Sequence, residues 1–192
     1  MGRPGLVVDL PCVTRPKGLI VALLLLVLVA LGVGATASAG RSPARSEAQL
    51  RTLNRQIASA INTFRTAHGL VPLIVSPELN ASARQHSVEM GANGYFDHPS
   101  KDGTSYWKRI KGYYTADGYP YWTVGENLLW SSPTISATEA VRLWARSPGH
   151  LRNLKNANWR NLGVSSVKVL HAGGVYGGYT VTIITTDFGA RH

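Results

Sequence analysis

The chain has 192 residues, enough for one domain, with 44% hydrophobic residues and a formal charge of +10. Its single cysteine, Cys12, excludes an intramolecular disulfide, so the folded part must be stabilised by its core alone. The excess of Lys and Arg favours anionic partners such as wall polymers or acidic lipid, or simply solubility. The basic residues are scattered, the densest group being Lys108, Arg109 and Lys111, and no nucleic-acid motif accompanies them.

At the N-terminus, Arg3, Arg15 and Lys17 precede a charge-free apolar run from Leu19 to Ala35, followed by Ala37-Ser38-Ala39. A basic segment, an apolar run and a small-x-small site describe a secretory signal peptide, cleaved after Ala39. The run is also at the lower limit for spanning a bilayer, so residues 1–39 read alternatively as an uncleaved N-terminal membrane anchor, a transmembrane helix. Both readings place the rest outside the cytoplasm, secreted or in the cell envelope, with the membrane touched only through this segment. Residues 40–52 are expected to be linker and helix start, and 53–190 the domain.

From Glu47 the pattern turns helical, with Leu50, Leu53, Ile57, Ile61 and Phe64 forming one stripe that Gly69 ends. Ser76-Pro77-Glu78 reads as N-cap, first-turn proline and early acid of a second helix running to about Met90. His86 lies on its apolar face, the usual place of a hydrogen-bonded core histidine. Gly91 to Gly103 is expected as loop, and Thr104 to Ile110 as a short helix anchored by Trp107. The aromatic stretch Gly112 to Trp122 reads either as the wall of a groove or as packing that pins an irregular segment. Leu128 to Trp130 is a short apolar piece, and a third helix buries Ala137, Ala140, Val141 and Trp144. It should stop at Arg146 or Ser147 because Pro148 disfavours helical geometry in the residue before it. Leu162 to Leu170 and Tyr179 to Thr186 read as strands joined by the glycine-rich Ala172 to Gly178, a hairpin. Helices followed by a hairpin imply an α+β fold.

Three residues are candidates for chemistry: His98 in Phe96-Asp97-His98, Glu126 in Gly125-Glu126-Asn127, and His150 after Ser147-Pro148-Gly149. Each stands beside a turn signal, and His150 is expected at the mouth of a turn. Two imidazoles and a carboxylate suit a divalent metal such as zinc, acid/base work, or a hydrogen-bonded structural cluster. With His98 and His150 as the metal ligands, the shell is half filled and binding is weak.

These pieces stand in a recognisable order. Ile61-Asn62-x-x-Arg65, Gly69-Leu70-Val71-Pro72-Leu73, His86-Ser87 and Phe96-Asp97-His98 come first. Gly125-Glu126-Asn127, Trp144-x-x-Ser147-Pro148-Gly149-His150, Leu162-Gly163-Val164 and Asp187-Phe188-Gly189 follow. In this the chain resembles the bacterial branch of the CAP superfamily, the SCP-like extracellular domain. The resemblance implies a three-layer α-β-α sandwich with a small antiparallel sheet, and a cleft lined by two histidines and up to two glutamates. His98, Glu126 and His150 match three of those positions; the fourth is Ser147 here, and a frequent glutamine before Asp187 is Thr186. It implies a monomer that binds an extracellular or cell-envelope ligand, lipid or anionic polymer, with catalysis unproven. A metal-assisted hydrolase using His98, His150 and Glu126 is one alternative. A lipid-binding carrier with the aromatic stretch as its portal is the other.

Overall fold

The protein is described by a computed structural model over residues 43–192; the expected signal peptide or anchor at 1–39 lies outside the described residues. Among the described residues no helix is long and apolar enough to cross a membrane.

A four-stranded sheet in the order β1-β3-β4-β2 forms the middle layer. The strands are β1 (Ile74–Val75), β2 (Trp122–Ser131), β3 (Asn161–Val169) and β4 (Val181–Arg191). The three long strands are antiparallel to their neighbours, and β1 adds two residues parallel to β3. Strand β4 is buried from Val181 to Ala190, as befits a central strand covered on both faces. Its Ile184, Phe188 and Ala190 join one core with α1 (Pro43–Ala67), α4 (Ala137–Arg146) and α5 (Pro148–Lys155). The opposite face meets α2 (Pro77–Asn93) and α3 (Tyr106–Lys111), where Ile183 packs near Met90 and Thr185 bonds Ser87. Helices therefore cover both faces of a small sheet in a three-layer α-β-α sandwich.

The stripe expected on α1 buries Ile57 and Ile61 against β3 and α4, and α4 buries Ala140 and Trp144. Each such large apolar side chain contributes about 1.5–3 kcal/mol. Arg65, wholly buried, ties the end of α1 to Val71 and to the carbonyls of Leu154 and Asn156 that end α5. Close approach of β3 to α2 depends on Gly163, where a Cβ would lie 2.2 Å from the carbonyl carbon of Leu79.

Several boundaries differ from the sequence expectation. Helix α1 begins at Pro43, with proline in its first turn, four residues before Glu47. Helix α2 runs through Gly91 to Asn93 and ends on left-handed Gly94. Gly91 is there for packing, since Val169 would lie 2.7 Å from a Cβ at that position. Trp107 is exposed, and Ile110 anchors α3 instead. The aromatic stretch is pinned at Tyr114, which is buried, accepts from Trp122 Nε1 through its carbonyl, and lies under the Arg191 guanidinium, while Tyr113, Tyr119 and Tyr121 are exposed.

Candidate functional site

The largest difference concerns Glu126. It stands not beside a turn but in the middle of β2, which pairs with β4 over all ten residues and sets Glu126 opposite Asp187. Both faces of this strand are covered, so its polar residues interrupt the alternation that would have marked it. Strand β2 is the outer strand, and helices α4 and α5 close its free edge. The Glu126 carbonyl accepts from Asn153 Nδ2 and the Leu128 carbonyl from Trp144 Nε1, both at 3.0 Å. This covers an edge that would otherwise present open backbone groups.

The Glu126 carboxylate is buried, and both oxygens are engaged. Oε2 accepts from Arg109 Nη2 on α3, and Oε1 accepts from His98 Nδ1–H at 2.8 Å. Burial alone would raise its pKa, but the hydrogen bond from His98 and the charge of the Arg109 guanidinium hold it below the usual carboxylate value. Arg109 also donates through Nη1 to the His98 carbonyl and the Ser100 hydroxyl, each at 3.0 Å, fixing the loop that carries His98. An acceptor-only carboxylate places the His98 proton on Nδ1 and leaves a lone pair on Nε2. The His98 ring is one-third exposed, with Tyr106 beside it at 6.0 Å between centroids.

His150 arrives from the other side of β2. The chain breaks at extended Ser147, which ends α4 and precedes Pro148 at the start of α5. Gly149 and His150 thus lie inside the first turn of α5. The His150 carbonyl accepts from Asn127 Nδ2, and Asn153 bonds Asn127 in turn. Its half-buried ring stands 6.5 Å from that of His98, centroid to centroid. The two histidines therefore meet across the outer strand, with Glu126 behind His98.

Behind this pair lies a second tier. His86 is buried and donates through Nε2 to the Asp97 carbonyl at 2.8 Å, the core role expected of it. Burial holds its pKa below the usual histidine value, so the ring is neutral at pH 7. Asp187 is fully buried, and no hydrogen bond of good geometry reaches either of its oxygens. Burial and then the Glu126 charge push its pKa well up, with Ser82 and Arg109 opposing, so the carboxyl keeps its proton to higher pH than a free aspartate does. Arg109, Tyr106, Asn153 and Asp187 were not legible as site residues. Arg109 sat in a basic group of three, and the only trace of Asp187 was its place in Asp187-Phe188-Gly189.

Two imidazoles supply half of a tetrahedral shell, and a carboxylate behind one of them is a common partner of metal-binding histidine. Glu126 already spends one lone pair of each oxygen on Arg109 and His98. No group of three or more His, Cys, Asp or Glu suited to a metal occurs among the described residues. The donor set thus fits a weak, exchangeable divalent site on His98 and His150.

Residues 58–183 match the family model of CAP, described as the cysteine-rich secretory protein family. The uncharacterized protein YkwD of Bacillus subtilis (strain 168) is 31% identical over 134 residues, 70% of this chain and 50% of the relative. The uncharacterized membrane protein YlbC of the same organism is 32% identical over 59% of this chain and 31% of its own length. The chain thus spans half or less of these curated relatives. An extracellular protein containing a SCP domain from Bacillus anthracis str. Ames superposes with a TM-score of 0.58 at 26% identity, over 77% of this chain and 43% of that one. An outer surface protein from Borrelia burgdorferi shares the fold with a TM-score of 0.55 at 21% identity, over 72% of this chain and 92% of that one.

Proposed function

The chain belongs to the CAP family, and from that premise we propose that it is an exported binding module whose cleft holds an extracellular or cell-envelope ligand between His98 and His150. The observation that carries this reading is the double engagement of Glu126 by Arg109 and His98. A carboxylate held so, below its ordinary pKa, is a poor general base. Its work is to orient His98, whose Nε2 accepts from a ligand hydroxyl or amine, or binds a divalent metal. An extracellular protein and a membrane protein among the relatives support a location outside the cytoplasm.

A metal-assisted hydrolase is the second reading, favoured by the carboxylate–imidazole pair but lacking a free base. A bound metal would polarise a water or substrate oxygen. For the lipid-carrier reading the aromatic stretch is divided: Tyr114 is buried and Trp122 partly buried, whereas Tyr113, Tyr119 and Tyr121 are exposed.

Mass spectrometry of small molecules released from the exported wild-type chain and from His98→Ala/His150→Ala tests the proposal. A molecule present on the wild type and absent from the variant supports it. The same molecule on both, or none on either, defeats it.

A further inference from the structure

A second groove lies on the opposite edge of the sheet, remote in the fold from the histidines. It has a volume of about 370 Å³ and runs between the first half of α1, β1 and the start of α2, over β3. Ala58, Val164 and Ser165 form its buried floor, and Arg51, Arg55 and Arg84 are exposed on its walls. Val75 and two asparagines also line it, and structural bonds set the orientation of both amides. Asn80 Oδ1 accepts from the Val164 amide at 2.8 Å, and Asn54 Oδ1 accepts from the Ser166 hydroxyl at 2.6 Å. With the oxygens committed, what remains of each amide is its Nδ2 amino group, a donor.

Three guanidinium groups and two amide amino groups are the donors of a lining whose remainder includes the apolar Ala58, Val75 and Val164. Glu47 is the one carboxylate in it, and it pairs only with Arg51, at 3.5 Å between two exposed side chains. Among the described residues no acidic side chain pairs with Arg55 or Arg84. Guanidinium forks match the oxygens of phosphate and carboxylate two at a time. We propose that this groove is a binding site for an oxyanion-bearing ligand, separate from the histidine cleft. The anion takes Arg55 and Arg84 from opposite helices, displaces Glu47 from Arg51, and accepts from Asn54 and Asn80. The inference stands independently of the reading of His98 and His150.

The test is calorimetric titration of the full chain with inorganic tripolyphosphate and, as the carboxylate arm, with citrate. Arg55→Gln/Arg84→Gln removes two groove charges, while Lys108→Gln/Lys111→Gln removes the same charge from an exposed surface elsewhere. The groove variant should bind about tenfold more weakly or worse, because charge-assisted hydrogen bonds are lost. The lysine variant and His98→Ala should bind as the wild type does. Whichever probe binds tighter tells a phosphate ligand from a carboxylate one. Equal weakening by the two charge-removing pairs would reduce the effect to net charge and overturn the proposal. So would unchanged binding by the groove variant, or no binding of either probe by the wild type.

Discussion

At the scale of single residues, the site is a set of ionisation states arranged by burial. Glu126 is charged because Arg109 and His98 hold it, so removing Arg109 strands a buried charge. Arg109→Met should destabilise by about 3–5 kcal/mol, and Arg109→Met/Glu126→Gln should recover much of that loss. Chemical denaturation of the two variants measures it, and an equal loss in both would show that the pair is not coupled. Asp187 is raised well above its unfolded value of about 3.9. Its contribution is fully present below that pH and is lost as pH rises towards the folded-state value, because the unfolded chain releases the proton first. Asp187→Asn, which cannot ionise, should therefore melt progressively higher than wild type as pH climbs from 4 to 8. A difference that does not vary with pH would refute the raised pKa. His86 works in the other direction: its pKa is lowered, so its contribution is present above about pH 6.5 and is lost as pH falls below it. At His98 and His150, zinc binding should be modest, because two imidazoles fill only half of a tetrahedral shell. Either alanine substitution should abolish it. Zinc titration of all three proteins checks this, and equal binding by all would place the metal elsewhere.

At the scale of elements, the glycines separate two roles. Gly163 lets β3 lie against the backbone of α2, and a methyl there meets the Leu79 carbonyl, which cannot move aside. Gly163→Ala should cost about 1–3 kcal/mol or more through forced backbone shifts. Gly149 lies in α5, where the nearest atom to a new Cβ is the flexible Arg152 Nη2 at 3.8 Å. Gly149→Ala should instead stabilise by about 0.5–1 kcal/mol, the ordinary gain of alanine over glycine in a helix. Melting curves of the two variants should shift in opposite directions, and a shared sign would contradict these assignments. The α4–α5 corner also explains why Trp144, Asn153 and His150 travel together. One closes the edge of β2, one braces it, and the third stands over the cleft.

For the molecule as a whole, the described residues contain no cysteine, and three hydrophobic clusters cover the two faces of the sheet. Reductant and chelator should leave the cooperative unfolding transition in place, since the described residues hold no cysteine and no group of three or more His, Cys, Asp or Glu suited to a metal. Loss of the transition in EDTA would reveal a metal essential to the fold. The charge of +10 acquires an address in the groove of Arg51, Arg55 and Arg84, which scattered basic residues did not disclose.

Local signals along the chain determined the helices and the hairpin, because amphipathic stripes, Ser76-Pro77 and the glycine-rich turn act over a few residues. They also grouped His98, Glu126 and His150 as candidates, through the order of motifs. They did not reveal β2, since a strand covered on both faces and carrying Gly, Glu and Asn shows no period. Nor did they assign Glu126 its role. That depends on Arg109, 17 positions away, and on Asp187 across the sheet, brought close only when α3, β2 and β4 pack. Burial then decides which of these groups carries a charge, and burial is a property of the packed layers, not of any short stretch of sequence.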